Sequence, residues 1–191
     1  MKKLIVILIA AVCLNSFTVT AGSPSIVKST DKSFSVFFDD WNESDLTVQL
    51  KDLTGFVLMT DNVTDEKVTG KKYNLKNLPT GDYVLEISGD QKVMTQALSL
   101  NDEEVTISDN SDLYYAPTVT IDEDKLDLNV LSLSKDVEVQ IRDQEGNVVF
   151  KTDLGSQISV NKRFDLSQLD NGEYAISVYQ NGYKHKIKFV L

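Results

Sequence analysis

Cysteine is almost missing: Cys13 stands alone in 191 residues, beside one histidine, His185, one tryptophan, Trp41, and three prolines. A single cysteine forms no intrachain disulfide, so apolar packing has to hold the fold. Zinc sites assembled from His and Cys are excluded by count. A Ser-His-Asp triad would have to use His185, which stands among Lys184, Lys186 and Lys188 in a strand-like terminal run; an ordinary strand residue is the better reading. Positive charge is scarce as well. Nineteen Lys and Arg face 29 Asp and Glu, a formal net charge of −10. A chain of that sign does not gather nucleic acid by counterion release. It gains little from an anionic membrane surface. The acidity points to solubility outside the cell.

Long apolar runs are confined to the start. Met1-Lys2-Lys3 leads into Leu4 to Val12, then into polar residues ending Val19-Thr20-Ala21. That is a secretory signal peptide over residues 1–21, with cleavage expected after Ala21. The run is shorter than the ~20 residues that span a bilayer, so no membrane span is expected. Cys13 raises a lipoprotein alternative, but Ala10 and Val12 stand where lipid attachment wants Leu and a small residue. Cleavage after Ala21 removes the cysteine and two lysines, taking the charge from −10 to −12. The expected location is the periplasm, the outer cell surface or the medium.

What remains is a repeat. Leu75-Lys-Asn-Leu78-Pro-Thr-Gly81-Asp-Tyr83 recurs 91 residues later as Leu166-Ser-Gln-Leu169-Asp-Asn-Gly172-Glu-Tyr174. The same offset relates Asp52 to Asp143, Gly55 to Gly146 and Val48-Gln-Leu-Lys-Asp to Val139-Gln-Ile-Arg-Asp, without a gap from Leu46 to Leu100. Leu-x-x-Leu, a Gly corner and a Tyr opening the next strand fit the corner before strand F of a β-sandwich, where the hydroxyl reaches upstream backbone. The corner glycines are expected at positive φ. Asp52-x-x-Gly55 and Asp143-x-x-Gly146 have the residues of a tight turn. Leu46, Val48 and Leu50 alternate with Thr47, Gln49 and Lys51, the period of a half-buried strand. Residues 61–70 look like a polar loop.

About seven short strands per copy predict an all-β chain, two tandem immunoglobulin-like antiparallel β-sandwiches behind the signal peptide. The expected first domain is 22–108, the linker 109–116 and the second domain 117–191. The motifs of the second copy, Val139-Gln-Ile141-Arg-Asp143, Gly146, Leu169-Asp-Asn-Gly172-Glu-Tyr174 and Lys184-His-Lys186-Ile-Lys188-Phe-Val-Leu191, resemble the C-terminal sorting domain of type IX secretion cargo. The chain is similar as well to small secreted immunoglobulin-like domains of unknown function from gut and gliding Gram-negative bacteria. The resemblance covers both copies and implies export and a sandwich fold.

Few residues invite chemistry. Asp122 and Asp124 could offer calcium two oxygens from one side of an extended strand, with Asp39-Asp40 and Asp109/Asp112 as further acid pairs. None has the spaced Asp-Gly-Glu calcium loop, and solvated loop acids fit better. Trp41, Tyr114 and Tyr115, if exposed, could stack on a sugar or a protein; packing at strand ends or between domains is the alternative. No catalysis and no cofactor are expected. The reading is a secreted binding or structural module, a monomer, that meets an unknown protein or surface glycan along a sheet face or an edge strand. Alternatives are a type IX substrate whose last domain is a sorting signal, and a carbohydrate-binding module.

Overall fold

The computed structural model describes residues 25–29, 31–39, 41, 43, 45–64 and 68–191. The leader, its cleavage point, Cys13 and Asp40 lie outside the described residues.

Among the described residues fifteen strands follow one another, and every pairing is antiparallel. In the first half these are β1 (Ser25–Ser29), β2 (Ser33–Phe37), β3 (Leu46–Asp52), β4 (Val57–Val63), β5 (Gly70–Asn74), β6 (Gly81–Ser88), β7 (Lys92–Leu100) and β8 (Val105–Tyr115). The second half has β9 (Thr118–Asp122), β10 (Lys125–Leu131), β11 (Val137–Arg142), β12 (Val148–Gly155), β13 (Ser159–Asp165), β14 (Glu173–Gln180) and β15 (Tyr183–Val190). Each half pairs a three-stranded sheet with a larger one: β1-β2-β5 with β4-β3-β6-β7-β8, and β13-β10-β9 with β12-β11-β14-β15. This is an all-β, immunoglobulin-like architecture.

Alternation builds the cores. Leu46, Val48 and Leu50 of β3 point inward and are buried, while the residues between them are half-exposed. Tyr83, Leu85 and Ile87 do the same on β6, and Leu126, Leu128 and Val130 on β10. Two separate apolar clusters result, one from Phe34 to Val105 and one from Leu126 to Phe189. With no disulfide among them, these clusters hold the halves together, each buried Leu, Ile or Phe contributing ~1.5–3 kcal/mol. Trp41, between β2 and β3, is fully buried in the first cluster. Its counterpart region in the second half is polar. There Ser132 is buried and donates to the Gln157 carbonyl, and Gln180 Nε2 donates to the Leu131 and Ser132 carbonyls at 3.4 and 3.3 Å.

Two stretches differ in form from the sequence expectation. Asp61, Asn62 and Val63, expected in a loop, extend β4. Asp61 takes Lys71 Nζ at 2.9 Å and Tyr73 Oη at 2.9 Å, so a carboxylate sits in the strand with its charge paired. Residues 109–115 form the second half of β8, paired with β7 from Thr95↔Asp112 to Lys92↔Tyr115. The polar middle of β8 bulges between Ile107 and Ser111, opposite Leu98 and Gln96 of β7, and the Gln96 amide donates to the carbonyls of Ser108 and Asn110. Carbonyls that the bulge removes from the ladder thus keep a donor.

Candidate functional site

The repeated corner is built alike in both halves. Leu75 N donates to the Lys32 carbonyl at 2.8 Å and Leu166 N to the Asp124 carbonyl at 2.7 Å, which ends the strand against the neighbouring hairpin. Asn74 Oδ1 accepts from Lys76 N at 2.9 Å, and Asp165 Oδ1 from Ser167 N at 3.0 Å, side-chain turns that break the strand. Leu78 N and Leu169 N then close a turn on Leu75 and Leu166 at 3.0 and 2.8 Å. Leu75 and Leu166 are buried, with Leu78 and Leu169 packed against their cores. Tyr83 Oη donates to the Pro79 carbonyl at 2.6 Å and Tyr174 Oη to the Asp170 carbonyl at 2.8 Å.

The two corner glycines differ: Gly81 has the expected positive φ, 155°, whereas Gly172 has none. Gly55 and Gly146, each at φ 88°, are left-handed and end the three-residue loops of the Asp-x-x-Gly hairpins, which Asp52 N to Phe56 O and Asp143 N to Asn147 O close at 3.0 and 3.1 Å. A one-residue register shift follows further along each hairpin, between Leu50 and Lys51 and between Ile141 and Arg142. The aspartates organise the loops. Asp52 Oδ1 accepts from Thr54 Oγ1, Thr54 N and Phe56 N, and Asp143 accepts from Asn147 Nδ2 and Asn147 N. These donors, led by the Thr54 hydroxyl and the Asn147 amide, hold both carboxyls below the usual range.

The aromatic residues turn inward. Trp41 is buried, with Lys92 Nζ 4.5 Å from its ring centroid, so it offers no face to a sugar. Tyr114 is 6 % exposed and stacks on Tyr183, centroids 4.6 Å apart. Tyr115 beside it is half-buried, and desolvation raises its pKa, as it does that of Tyr114. Tyr183 follows the tight turn Asn181-Gly182, with φ 47° and 81°, which projects it from β15 toward the first half. Burial first, then Glu86 as charge and hydrogen-bond partner, push the Tyr183 hydroxyl up to about 12. Lys135 Nζ meets Asp112 at 3.0 Å nearby. So Tyr114, Asp112 and Glu86 meet Tyr183 and Lys135 where the halves touch. Sequence reading missed Glu86 and Lys135 here; the Asn-Gly dipeptide, a hairpin signal, was the available clue to Tyr183.

The acidic pair is not a two-oxygen seat. Asp122 pairs with Lys125, so Glu123 and Asp124 form the hairpin turn between β9 and β10, with Glu123 at φ 50°. Asp124 therefore leaves the strand, and the shared face expected for extended backbone is lost. Lys125 Nζ occupies its oxygen at 3.1 Å and Asp165 at 3.0 Å. Asp112 is likewise held by Lys135. Among the described residues no three His, Cys, Asp or Glu side chains converge. His185 lies on β15 opposite Val178. Among those residues, too, no helix is long and apolar enough to cross a membrane.

Residues 30–101 match the family described as a secretion system C-terminal sorting domain. Residues 99–191 match Domain of unknown function DUF3244. The sorting match thus falls on the first half, whereas the motifs had placed that likeness on the second. The corner and the hairpin recur in both copies and could not separate them. No curated protein matches the chain. Solved structures similar to it include the BSP domain of a biofilm associated protein, 14 % identical, covering 89 % of this chain and 29 % of that one at a TM-score of 0.30. Another is an Escherichia coli alpha-2-macroglobulin fragment spanning domains MG0-NIE-MG1, 10 % identical, with coverages of 87 % and 64 % and a TM-score of 0.29. A third is Parabacteroides merdae beta-glucuronidase, 12 % identical, with coverages of 88 % and 24 % and a TM-score of 0.27. The chain spans less than two thirds of each of these proteins. With a sorting-domain match over one half and an immunoglobulin-like sandwich in both, the chain is an exported all-β protein.

Proposed function

We propose that this exported protein is a non-catalytic binding module that engages another protein along its sheet edges. The observation that carries this reading is a repeated apolar exposure. Val57 and Leu58 open the edge strand β4 just after Phe56, and at the 91-residue offset Val148 and Val149 open the edge strand β12, followed by Phe150. All six are exposed large hydrophobics. An exposed apolar edge invites unwanted pairing, yet both copies keep it, which fits a contact surface. The test is a pair of charge substitutions, Val57→Lys and Val149→Lys, in the chain expressed in its native host. Surface changes of this kind should shift stability by no more than ~0.5 kcal/mol. Chemical cross-linking of the exported protein to its neighbours should be lost. An unchanged cross-linking pattern in well-folded variants removes the reading.

A second reading is favoured by the sorting-domain match over residues 30–101. The first half would then act as a type IX export signal. A periplasmic reporter fused to residues 22–108 should reach the surface or the medium, and one fused to 109–191 should not. Retention of both in the periplasm argues against it. A carbohydrate platform built on Trp41 has no support, since the ring is buried.

A further inference from the structure

The two copies differ at one edge. In the first, β7 is covered by β8, eleven residues long. At the 91-residue offset β7 becomes β15, which is the edge of its sheet. Among the described residues no strand lies beyond it. The main-chain groups left over can be identified. Gly172 and Leu191 exchange both backbone hydrogen bonds, at 3.3 and 3.1 Å. Antiparallel ladders alternate, so Phe189, Ile187, His185 and Tyr183 turn their N–H and C=O toward β14. The outward groups belong to Lys184, Lys186, Lys188 and Val190. In the first copy the equivalents of the first two lysines are Val93 and Thr95. Thr95 lies opposite Asp112 of β8, and Gln91 O, in the same phase, accepts from Ala116 N at 2.7 Å.

Charge separates the two edges further. Val93, Thr95 and Ala97 are uncharged, whereas Lys184, Lys186 and Lys188 put three cations at those positions, all exposed. No carboxylate pairs with these three lysines among the described residues, although the chain carries 29 acids. Lys184 Nζ lies 5.4 Å from the Tyr179 ring centroid. Two β15 edges cannot readily pair with each other, because lysine would face lysine along the ladder. Lysines on an edge also discourage promiscuous pairing. Together they select a strand that sets an acid against them, as β8 sets Asp112 opposite Thr95.

We propose that β15 is a strand-addition site for an extended acidic segment of a partner polypeptide, held by the free main chain of Lys184, Lys186 and Lys188 and by their charges. This rests on the reading of the chain as a protein-binding module, and it names the site and the partner's chemistry.

The probe is a synthetic peptide of residues 105–115, the strand that occupies the equivalent edge in the first half. It is titrated into the chain lacking residues 1–21 and followed through backbone amide resonances. Shifts should centre on Lys184, Lys186, Lys188 and Val190, and binding should weaken with salt. Replacing the three lysines by their first-copy equivalents, Lys184→Val, Lys186→Thr and Lys188→Ala, should weaken binding about tenfold or more. Arginine at the three positions should keep it. A peptide with Asp109→Lys and Asp112→Lys should bind about tenfold more weakly. Absent shifts on β15, equal binding by the neutral variant, or concentration-dependent shifts of the same amides without peptide (pairing of two copies) would each overturn the proposal. Loss of cross-linking in the Val57 and Val149 variants with no peptide binding at β15 leaves the binding-module reading standing and removes this site alone.

Discussion

Tyr114 and Tyr183 stack across the two halves of the chain, with ring planes 23° apart. The contact joins the end of β8 to the hairpin of β14 and β15, and it places the hydroxyl of half-buried Tyr183 beside Glu86. Ionising Tyr183 would put a second negative charge there. Its folded pKa of about 12 lies above the ordinary 10. The stabilisation is therefore complete below pH 10 and is lost as pH rises through about 12. Tyr183→Phe keeps the stack and removes the ionisation. Between these two pH values the wild type should lose stability more steeply than Tyr183→Phe, as read from denaturation midpoints. Parallel curves would mean that the hydroxyl is not buried at the junction.

The two corner tyrosines offer a matched pair. Tyr83→Phe and Tyr174→Phe each remove one hydroxyl-to-carbonyl bond, and each should cost about 1 kcal/mol. The Tyr83 change should cost more, because Tyr83 is buried and Tyr174 is only partly so. Equal midpoints for wild type and both variants would show that these bonds do not tie the corner.

Glycine substitutions separate the hairpin from the corner. Gly146→Ala forces a Cβ into left-handed backbone and should cost ~1–2 kcal/mol, although nothing lies within 4 Å of the new atom. Gly172→Ala meets only the Tyr174 ring at 3.8 Å, an ordinary contact, and should be nearly neutral. Thermal melts of the two variants decide the matter, and a costly Gly172→Ala would mean that the second corner, like Gly81 in the first, needs a glycine.

Acid should weaken the second half through Asp165. The Ser167 hydroxyl and amide, then Lys125, hold its carboxyl at about 2, below the ordinary 3.8. Its contribution is present above pH 3.8 and is lost as pH falls toward about 2. Asp165→Asn should flatten that part of the stability profile. An unaltered acid limb, followed by circular dichroism, would place the acid sensitivity elsewhere, in Asp127 beside Arg163 or in Glu138 beside Lys151.

Trp41→Ala opens a large hole in the first core alone. The cost should be ~3–5 kcal/mol. Amide exchange should rise across β2, β3 and β6, with β10, β11 and β14 little changed, since the two apolar clusters are separate. Exchange rising equally in both halves would mean that the chain unfolds as one unit.

The strands and the duplication were legible because both live on local patterns. A period of two places Leu46, Val48 and Leu50 on one face whatever lies opposite, and the 91-residue offset needs no knowledge of space. The Asp-x-x-Gly hairpins were legible for the same reason, since an aspartate and a glycine three residues apart close the turn by themselves. The sorting-domain likeness was legible as well, but not its place, because the motifs that carry it occur twice.

Tertiary structure decided what depends on partners distant in the chain. Asp61 entered a strand because Lys71 and Tyr73 came to meet it. Trp41 went inside because the first core had room for it, while the second core closed the same end with Ser132 and Gln180. Asp122 and Asp124 parted because the chain reversed between them. The strand β8 found the edge of β7, and no strand among the described residues found the edge of β15. Period and spacing set which way each side chain points; which surface it then meets is fixed only when remote segments compete for the same apolar and hydrogen-bonding partners.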